Sequence, residues 1–300
     1  MTTTSSGQLI QDWDTIGAID MPFLSSALSY VRKHGALPPR LKSKEDQNEA
    51  TDSGVNPTQV ERWRTEVDKR VSEKGSNRQR LEQGSDKAAS GSSLSVSSYP
   101  TLVFLEGFLL YAPPATEDPD HSLRPIHDQI DLHLFLSAPY NLVKSRRETR
   151  SGYVTTGPAL APVNKPDGGD ADELRKTGQE KTVDLVKYND GDPPPNFWAD
   201  PPGYVDDVVW PRYVQDHAWL LLPQDEAKEA QLRGKEECGL SQARKTLPIE
   251  ELLKIVGQGA NVRTDASVCV APGHGTWPMT EILDWAVKEI LKYLVLGGEL

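Results

Sequence analysis

Apolar positions in this 300-residue chain gather into a few patterned stretches separated by long polar ones. Over Thr15–His34 they recur at helical spacing through Ile19, Phe23, Leu24, Ala27, Leu28 and Val31, and the pattern stops at Gly35. That predicts a helix closed by a glycine. Pro100–Glu106 is a continuous apolar run ending in a carboxylate, the signature of a strand covered on both faces. Ile130–Leu136 predicts a second strand and Pro139–Arg150 a helix just after it. Tyr204–Leu222 predicts an aromatic-rich helix kinked at Pro211. Ser267–Ala271 predicts a third strand, followed by a helix over Met279–Leu296. Strands and helices alternating at these spacings predict an α/β layer with a parallel sheet.

Three stretches, 39–98, 155–196 and 223–262, break the pattern and are expected to be flexible insertions. Nine of the fifteen positions in 84–98 are Gly or Ser, too few apolar groups to offset the entropy of ordering. Within the first insertion Val60, Trp63 and Val67 fall on one helical face over Pro57–Val71, and in the third Pro248–Val256 predicts a helix. Proline-rich runs, Pro193–Pro195 among them, mark the second. The insertions explain a hydrophobic share of 37%.

A formal net charge of −11 argues against general attraction to nucleic acid or to an anionic membrane, so phosphate chemistry would need a local basic patch. No apolar run reaches the roughly 18 residues of a membrane span. Two cysteines, Cys238 and Cys269, are too few for a disulfide scaffold. No signal segment is visible at Met1–Gly7, so a reducing, cytoplasmic or nuclear setting is expected. Six histidines show no paired metal-ligand spacing, and neither a Gly-x-Ser-x-Gly elbow nor a Gly-x-Gly-x-x-Gly turn is present.

Four places could carry chemistry. Glu106 sits where an apolar run ends, with Gly107 letting the backbone turn closely. In open α/β sheets ligands gather beyond such strand ends, where a carboxylate can hold Mg²⁺; it can equally be a residue leaving a strand into solvent. Lys144-Ser-Arg146-Arg147-Glu-Thr-Arg150 is basic in an acidic protein. On one helix Arg146 and Arg150 share a face and suit a phosphate, or the cluster is a solvated face near a helix C-terminus. In Asp12-Trp13-Asp14 a carboxylate beside an indole could hold a ribose diol under a flat cationic base, although Asp14 also suits a helix N-cap. Trp210, Tyr213 and His217 repeat at helical spacing and read as core packing.

In order along the chain, Leu9–Ile19 with its Asp-Trp-Asp, Leu105-Glu-Gly-Phe-Leu-Leu-Tyr111, Arg146-Arg147-Glu-Thr-Arg150 and Gly152-Tyr153-Val154 are followed by Asp200-Pro-Pro-Gly-Tyr-Val-Asp206 and Val209-Trp-Pro-Arg-Tyr213. Together they resemble the nicotinamide riboside kinases of the uridine kinase-like P-loop kinases, fungal members in particular. The match covers 8–38, 99–154, 197–222 and 263–298. The resemblance implies a three-layer α/β kinase domain over 8–300, a nucleoside substrate and ATP with Mg²⁺ as co-substrate and metal. It implies Trp13 stacked on the pyridinium ring, Asp14 on the ribose hydroxyls, and Arg147, Tyr153 and Val154 beside the substrate. Glu106 would be the catalytic, Mg²⁺-linked carboxylate, Arg146 and Arg150 would contact ATP phosphates, and His274–Thr276 would face the adenine. A base preference between nicotinamide, nicotinic acid and uridine stays open.

The family's phosphate-cradling Gly-x-x-x-x-Gly-Lys-[Ser/Thr] and its Asp-Asp-Phe-Tyr-like segment are not among these 300 residues. The family's sheet order would set the missing first strand between 100–106 and 130–136. The expectation is therefore an N-terminally truncated, incomplete domain with an uncovered apolar face and no kinase activity, or a non-catalytic binding or regulatory paralogue.

Overall fold

The computed structural model describes residues 2–5, 7, 9–10, 12–39, 41, 52–82, 101–150, 153–155, 196–198, 200–225 and 240–295. A short antiparallel hairpin, β1 (Thr2–Thr3) with β2 (Leu9–Ile10), opens the chain. Helix α1 (Met21–His34) begins where the Asp20 side chain accepts the Phe23 N–H at 3.0 Å and Pro22 fits the first turn. It ends at Gly35, whose φ of 64° is the left-handed geometry glycine tolerates. Arg32, in its last turn, donates to Asp131 and to the Gln129 carbonyl, both at 2.8 Å, fixing α1 against the short helix α3 (Arg124–His127) and the residues after it.

The mixed α/β character is realised around one parallel pair, β3 (Leu134–Phe135) beside β6 (Cys269–Val270), in register Leu134↔Cys269 and Phe135↔Val270. Both lie inside the strands expected at 130–136 and 267–271. The strand expected at Pro100–Glu106 does not form over its described residues, 101–106. These residues pair with no other strand among the described residues, and Leu102, Val103 and Phe104 are 48%, 52% and 77% exposed. An apolar run becomes a strand only where a neighbour completes its ladder. Burial begins just beyond, at Leu109, Leu110 and Ala112, and Leu109 and Ala112 pack with Leu123.

Helix α4 (Tyr140–Glu148) follows β3, and after it β4 (Tyr153–Thr155) pairs antiparallel with β5 (Asn196–Trp198). The bulk of the second expected insertion, 156–195, lies outside the described residues. The chain then widens into a π-turn over Val205–Val209, closed by the Trp210 N–H on the Val205 carbonyl, and continues as α5 (Trp210–His217). The wide turn adjoins Pro211, which lacks the N–H that a regular helix would give to the Asp207 carbonyl. The helix expected to run to Leu222 thus ends at His217, and Leu221 instead bridges Val262.

The core gathers on this region. Trp210, Val214, Ala218 and Leu221 pack with Leu240 and with Leu252 and Val256 of helix α7 (Ile249–Val256), which follows α6 (Ser241–Thr246). Trp219 and Leu220 pack with Phe135, Ala266 and Val268 under the parallel pair. His217 is 7% exposed and its ring stacks on Tyr213 at 4.7 Å, in keeping with the core role read from the spacing. The first insertion contributes α2 (Pro57–Glu82), which lies against the last helix, α8 (Met279–Val295). No helix among the described residues is long and apolar enough to cross a membrane.

Candidate functional site

The turn Pro201-Pro202-Gly203-Tyr204 is written in its residue types. Proline at the second position and glycine with φ of 80° at the third, closed by the Tyr204 N–H on the Pro201 carbonyl at 3.0 Å, make a type II turn. Asp200 lies on one side of it and Tyr204, 1% exposed, on the other. A buried phenol needs a partner for its hydroxyl. Tyr204 donates to Asp14 Oδ2 at 2.8 Å, and burial, reinforced by the Asp14 charge, drives its pKa well above the ordinary tyrosine value.

Asp14 is therefore not a helix N-cap. Thr15 caps the short 3₁₀ turn Ile16–Ala18 and Asp20 caps α1, leaving the Asp14 side chain to face inward. Its other oxygen, Oδ1, lies 3.4 Å from Arg147 Nη1, although the two residues are 133 apart in sequence. Arg147 reaches in from the last turn of α4, where its Nε and Nη2 donate to Asp200 at 2.8 and 3.1 Å, a two-pronged clamp. Its guanidinium carbon sits 5.8 Å from the centre of the Tyr204 ring. Trp13, half-buried, adjoins this group in the chain. Asp12 is held on the other side by Arg212 at 2.7 Å; its side chain is 5% exposed, and its Oδ1 is buried with no hydrogen-bond partner among the described residues.

Tyr204 and the polar residues of the π-turn that follows it reach three separate segments. Tyr204 holds the loop of Asp14, Asp206 accepts from Lys144 and Tyr140 of α4, and Asp207 accepts from the Ser5 backbone and hydroxyl at 3.1 and 3.0 Å. Burial alone would raise the Asp206 carboxyl, but the hydrogen bonds from Lys144 and Tyr140 outweigh it and hold its pKa below the ordinary range. The same contact pushes Lys144 well above its ordinary value.

The other residues singled out from sequence lie apart from Asp14 and Arg147. Helix α4 ends at Glu148 with Thr149 as its cap, so Arg150 lies beyond it and does not share a helical face with Arg146. Arg146 instead donates to the Gly275 carbonyl at 2.5 Å. That places it on the turn His274–Thr276, where Gly275 sits so close to Ala138 that a side chain there would meet it at 2.9 Å. Tyr153 and Val154 are on β4, opposite Trp198 and Phe197. Glu106 is exposed and makes no hydrogen bond or ion pair among the described residues. Among the described residues no group of three or more His, Cys, Asp or Glu could hold a metal ion.

Neither periodicity nor spacing assigns a role to Tyr204, Asp200 or Arg212. The legible signal was the Pro-Pro-Gly turn joining an acidic residue to a tyrosine. What they grip is far away along the chain.

No protein-family model matches this chain, and no solved structure matches it. Fungal proteins do. The nicotinamide riboside kinase of Schizosaccharomyces pombe is 24% identical over 217 residues, 72% of this chain and 62% of that protein. The nicotinamide riboside kinase of Saccharomyces cerevisiae is 21% identical over 94% of this chain and 75% of its own length. That of Eremothecium gossypii is 23% identical over 71% of this chain and 57% of its own length. The chain thus spans about three-fifths of the first of these relatives. By sequence it is similar to the fungal nicotinamide riboside kinases.

Proposed function

We propose that this chain binds a pyridinium riboside, nicotinamide riboside in the first instance, at Asp14 and Arg147. The observation that carries the reading is their approach to 3.4 Å across 133 residues of sequence. A vicinal diol donates two O–H groups to a carboxylate and accepts from a guanidinium, so such a pair is a ribose clamp. Trp13, next to Asp14 in the chain, would face a cationic ring, an attraction of about 0.5–2 kcal/mol. Tyr153 and Val154, leading away from α4, would border the base. The relatives' names support the same substrate class.

The reaction of that family is ATP-dependent phosphorylation of the riboside to its mononucleotide, on a three-layer P-loop kinase domain. In the proposed arrangement a single α/β domain spans 8–300, with 39–98, 155–196 and 223–262 as insertions, of which the first supplies α2 and the third supplies α6 and α7 to the core. Arg146 and Arg150 belong to the ATP side and Glu106 to the Mg²⁺ side. The residues present do not make a complete site for either group. The sequence has no glycine loop to cradle phosphates, Arg146 already gives one N–H to a carbonyl, and among the described residues Glu106 belongs to no group of three or more His, Cys, Asp or Glu that could hold a metal ion. These residues alone do not support phosphoryl transfer, and the 300-residue chain by itself is proposed to be inactive as a kinase.

Calorimetry with nicotinamide riboside, without nucleotide, tests the binding reading. Saturable binding that weakens at least tenfold in Asp14→Asn is expected, and no saturable binding overturns it. A phosphorylation assay with Mg-ATP is expected to show no turnover. Turnover comparable to that of the Schizosaccharomyces pombe relative would overturn the inactivity. Binding that is tighter for uridine would move the substrate to another nucleoside.

A further inference from the structure

We propose that the ion pair Asp12–Arg212 positions Trp13, and that it thereby sets a preference for a cationic base over a neutral one. This rests on the riboside reading above and gives a task to two residues that lie outside the Asp14–Arg147 contact.

Asp12 comes from the loop before α1 and Arg212 from the first turn of α5, 200 residues along the chain. Arg212 Nε and Nη2 both reach Asp12 Oδ2, at 2.8 and 2.7 Å, and its Nη1 is steadied by Gln215 Oε1 at 3.0 Å. Trp210 and Val214 fix α5 in the core, so the guanidinium stands on a firm base. The Asp12 side chain is 5% exposed, and among the described residues Arg212 is its one side-chain partner. A buried carboxylate with a single cation beside it stays buried only while that cation is there.

Trp13 is thus caught between two anchored neighbours. Asp12 is tied to α5, Asp14 is tied to Tyr204 at 2.8 Å, and the Trp13 backbone hydrogen-bonds to the same tyrosine hydroxyl. With its backbone pinned on both sides, the indole keeps only its two side-chain torsions. The two ties are separable. Loss of the Asp12 tie leaves Asp14 on Tyr204, so contacts to a ribose persist while the indole drifts. Cation–π attraction depends on where the ring face lies, and a neutral base gains none of it.

The experiment is calorimetry on the full 300-residue chain with nicotinamide riboside and with its neutral 1,4-dihydro form, thermal unfolding being followed in parallel. The double variant Asp12→Ala/Arg212→Ala removes the tie at unchanged net charge. It is expected to weaken binding of the cationic ligand about fivefold, within the span of a cation–π contact, and that of the dihydro ligand by less than about twofold. In a Trp13→Leu background the same double change is expected to leave the ratio of the two affinities where it was. An equal loss for both ligands, no loss for either, or the same shift of the ratio in Trp13→Leu overturns the proposal. Should the double variant fail to fold, Arg212→Gln decides. The Asp12 charge it uncovers would by itself favour the cation, so a selective loss of the cationic ligand reports misplacement, and its absence overturns the proposal. Wild-type protein that binds neither ligand overturns the riboside reading together with this inference. Wild-type protein that binds the two equally overturns this inference alone.

Discussion

Arg263 is 6% exposed, yet it carries a full charge. Its Nη1 meets Glu117 at 2.8 Å, its Nε meets Asp265 at 2.7 Å, and it also donates to the Trp219 carbonyl at 3.2 Å. Burial works against the charge, and the two carboxylates more than restore it, so its pKa lies above the ordinary value. Removing one partner of such a group leaves another charge stranded. Arg263→Met is expected to destabilise the fold by about 3–5 kcal/mol in urea unfolding, with part recovered in the double variant Arg263→Met/Glu117→Leu. The histidines of the Tyr111 corner act in the opposite sense. His127 and His133 stack at 4.0 Å, and His127 Nδ1 accepts the Ala112 N–H at 3.2 Å. Burial first, then the neighbouring His133 and Arg124 charges, push His127 down to about 4, while Asp128 pulls weakly the other way. His133 is lowered too, chiefly by burial. The unfolded chain therefore binds protons that the folded chain refuses between pH 6.5 and about 4. Their contribution is whole above pH 6.5 and is lost as pH falls through that window. Thermal melts should show a midpoint dropping across it in wild-type protein and a flatter profile in His127→Gln. A wild-type midpoint that stays level from pH 7 to 4 would count against this.

Among the elements, α2 and α8 are joined through one carboxylate. Asp284 Oδ1 accepts from Gln59 at 2.7 Å, Arg62 at 2.6 Å and the Trp63 indole at 3.1 Å, while Oδ2 meets Lys288 at 2.5 Å. Asp284→Ala should raise hydrogen exchange across residues 57–70 while costing the whole fold only about 1 kcal/mol, since the ion pairs are largely solvated. Unchanged exchange there would mean that the helix is held by other contacts. The sequence pattern anticipated that helix at Pro57–Val71 from Val60, Trp63 and Val67. It also anticipated α1 and its stop at Gly35, α7, and the parallel strands, because caps, glycine geometry and periodicity are local. Pro100–Glu106 carries a strand's composition without forming one over 101–106, because a ladder is a property of two segments. Asp14 was legible as a candidate only beside an equally good N-cap reading, which Asp20 turned out to satisfy. The contact of Asp14 with Arg147, and the hold of Asp200 and Tyr204 on both, depend on how α4, the turn and the first loop dock. No periodicity reports that.

For the molecule as a whole, a two-stranded parallel pair supports a core that leaves Leu102, Val103, Phe104 and Phe108 at the surface, Phe104 at 77% exposure. A contiguous apolar stretch with no ladder partner among the described residues is an association hazard even at a net charge of −11. Phe104→Lys should lower binding of a hydrophobic dye and reduce light scattering on concentration, with little effect on the melting midpoint. An unchanged dye signal would show that this stretch is covered in solution. The β4–β5 ribbon has a different kind of consequence. Its register ties Tyr153 to Trp198 and Thr155 to Asn196, so the chain between Thr155 and Asn196 leaves and returns at one point. The entropy of closing such a loop rises by only about 0.6 kcal/mol for each doubling of its length. The closure entropy of that connection is therefore nearly indifferent to its length, and the register of the ribbon is what keeps its two ends, Thr155 and Asn196, side by side.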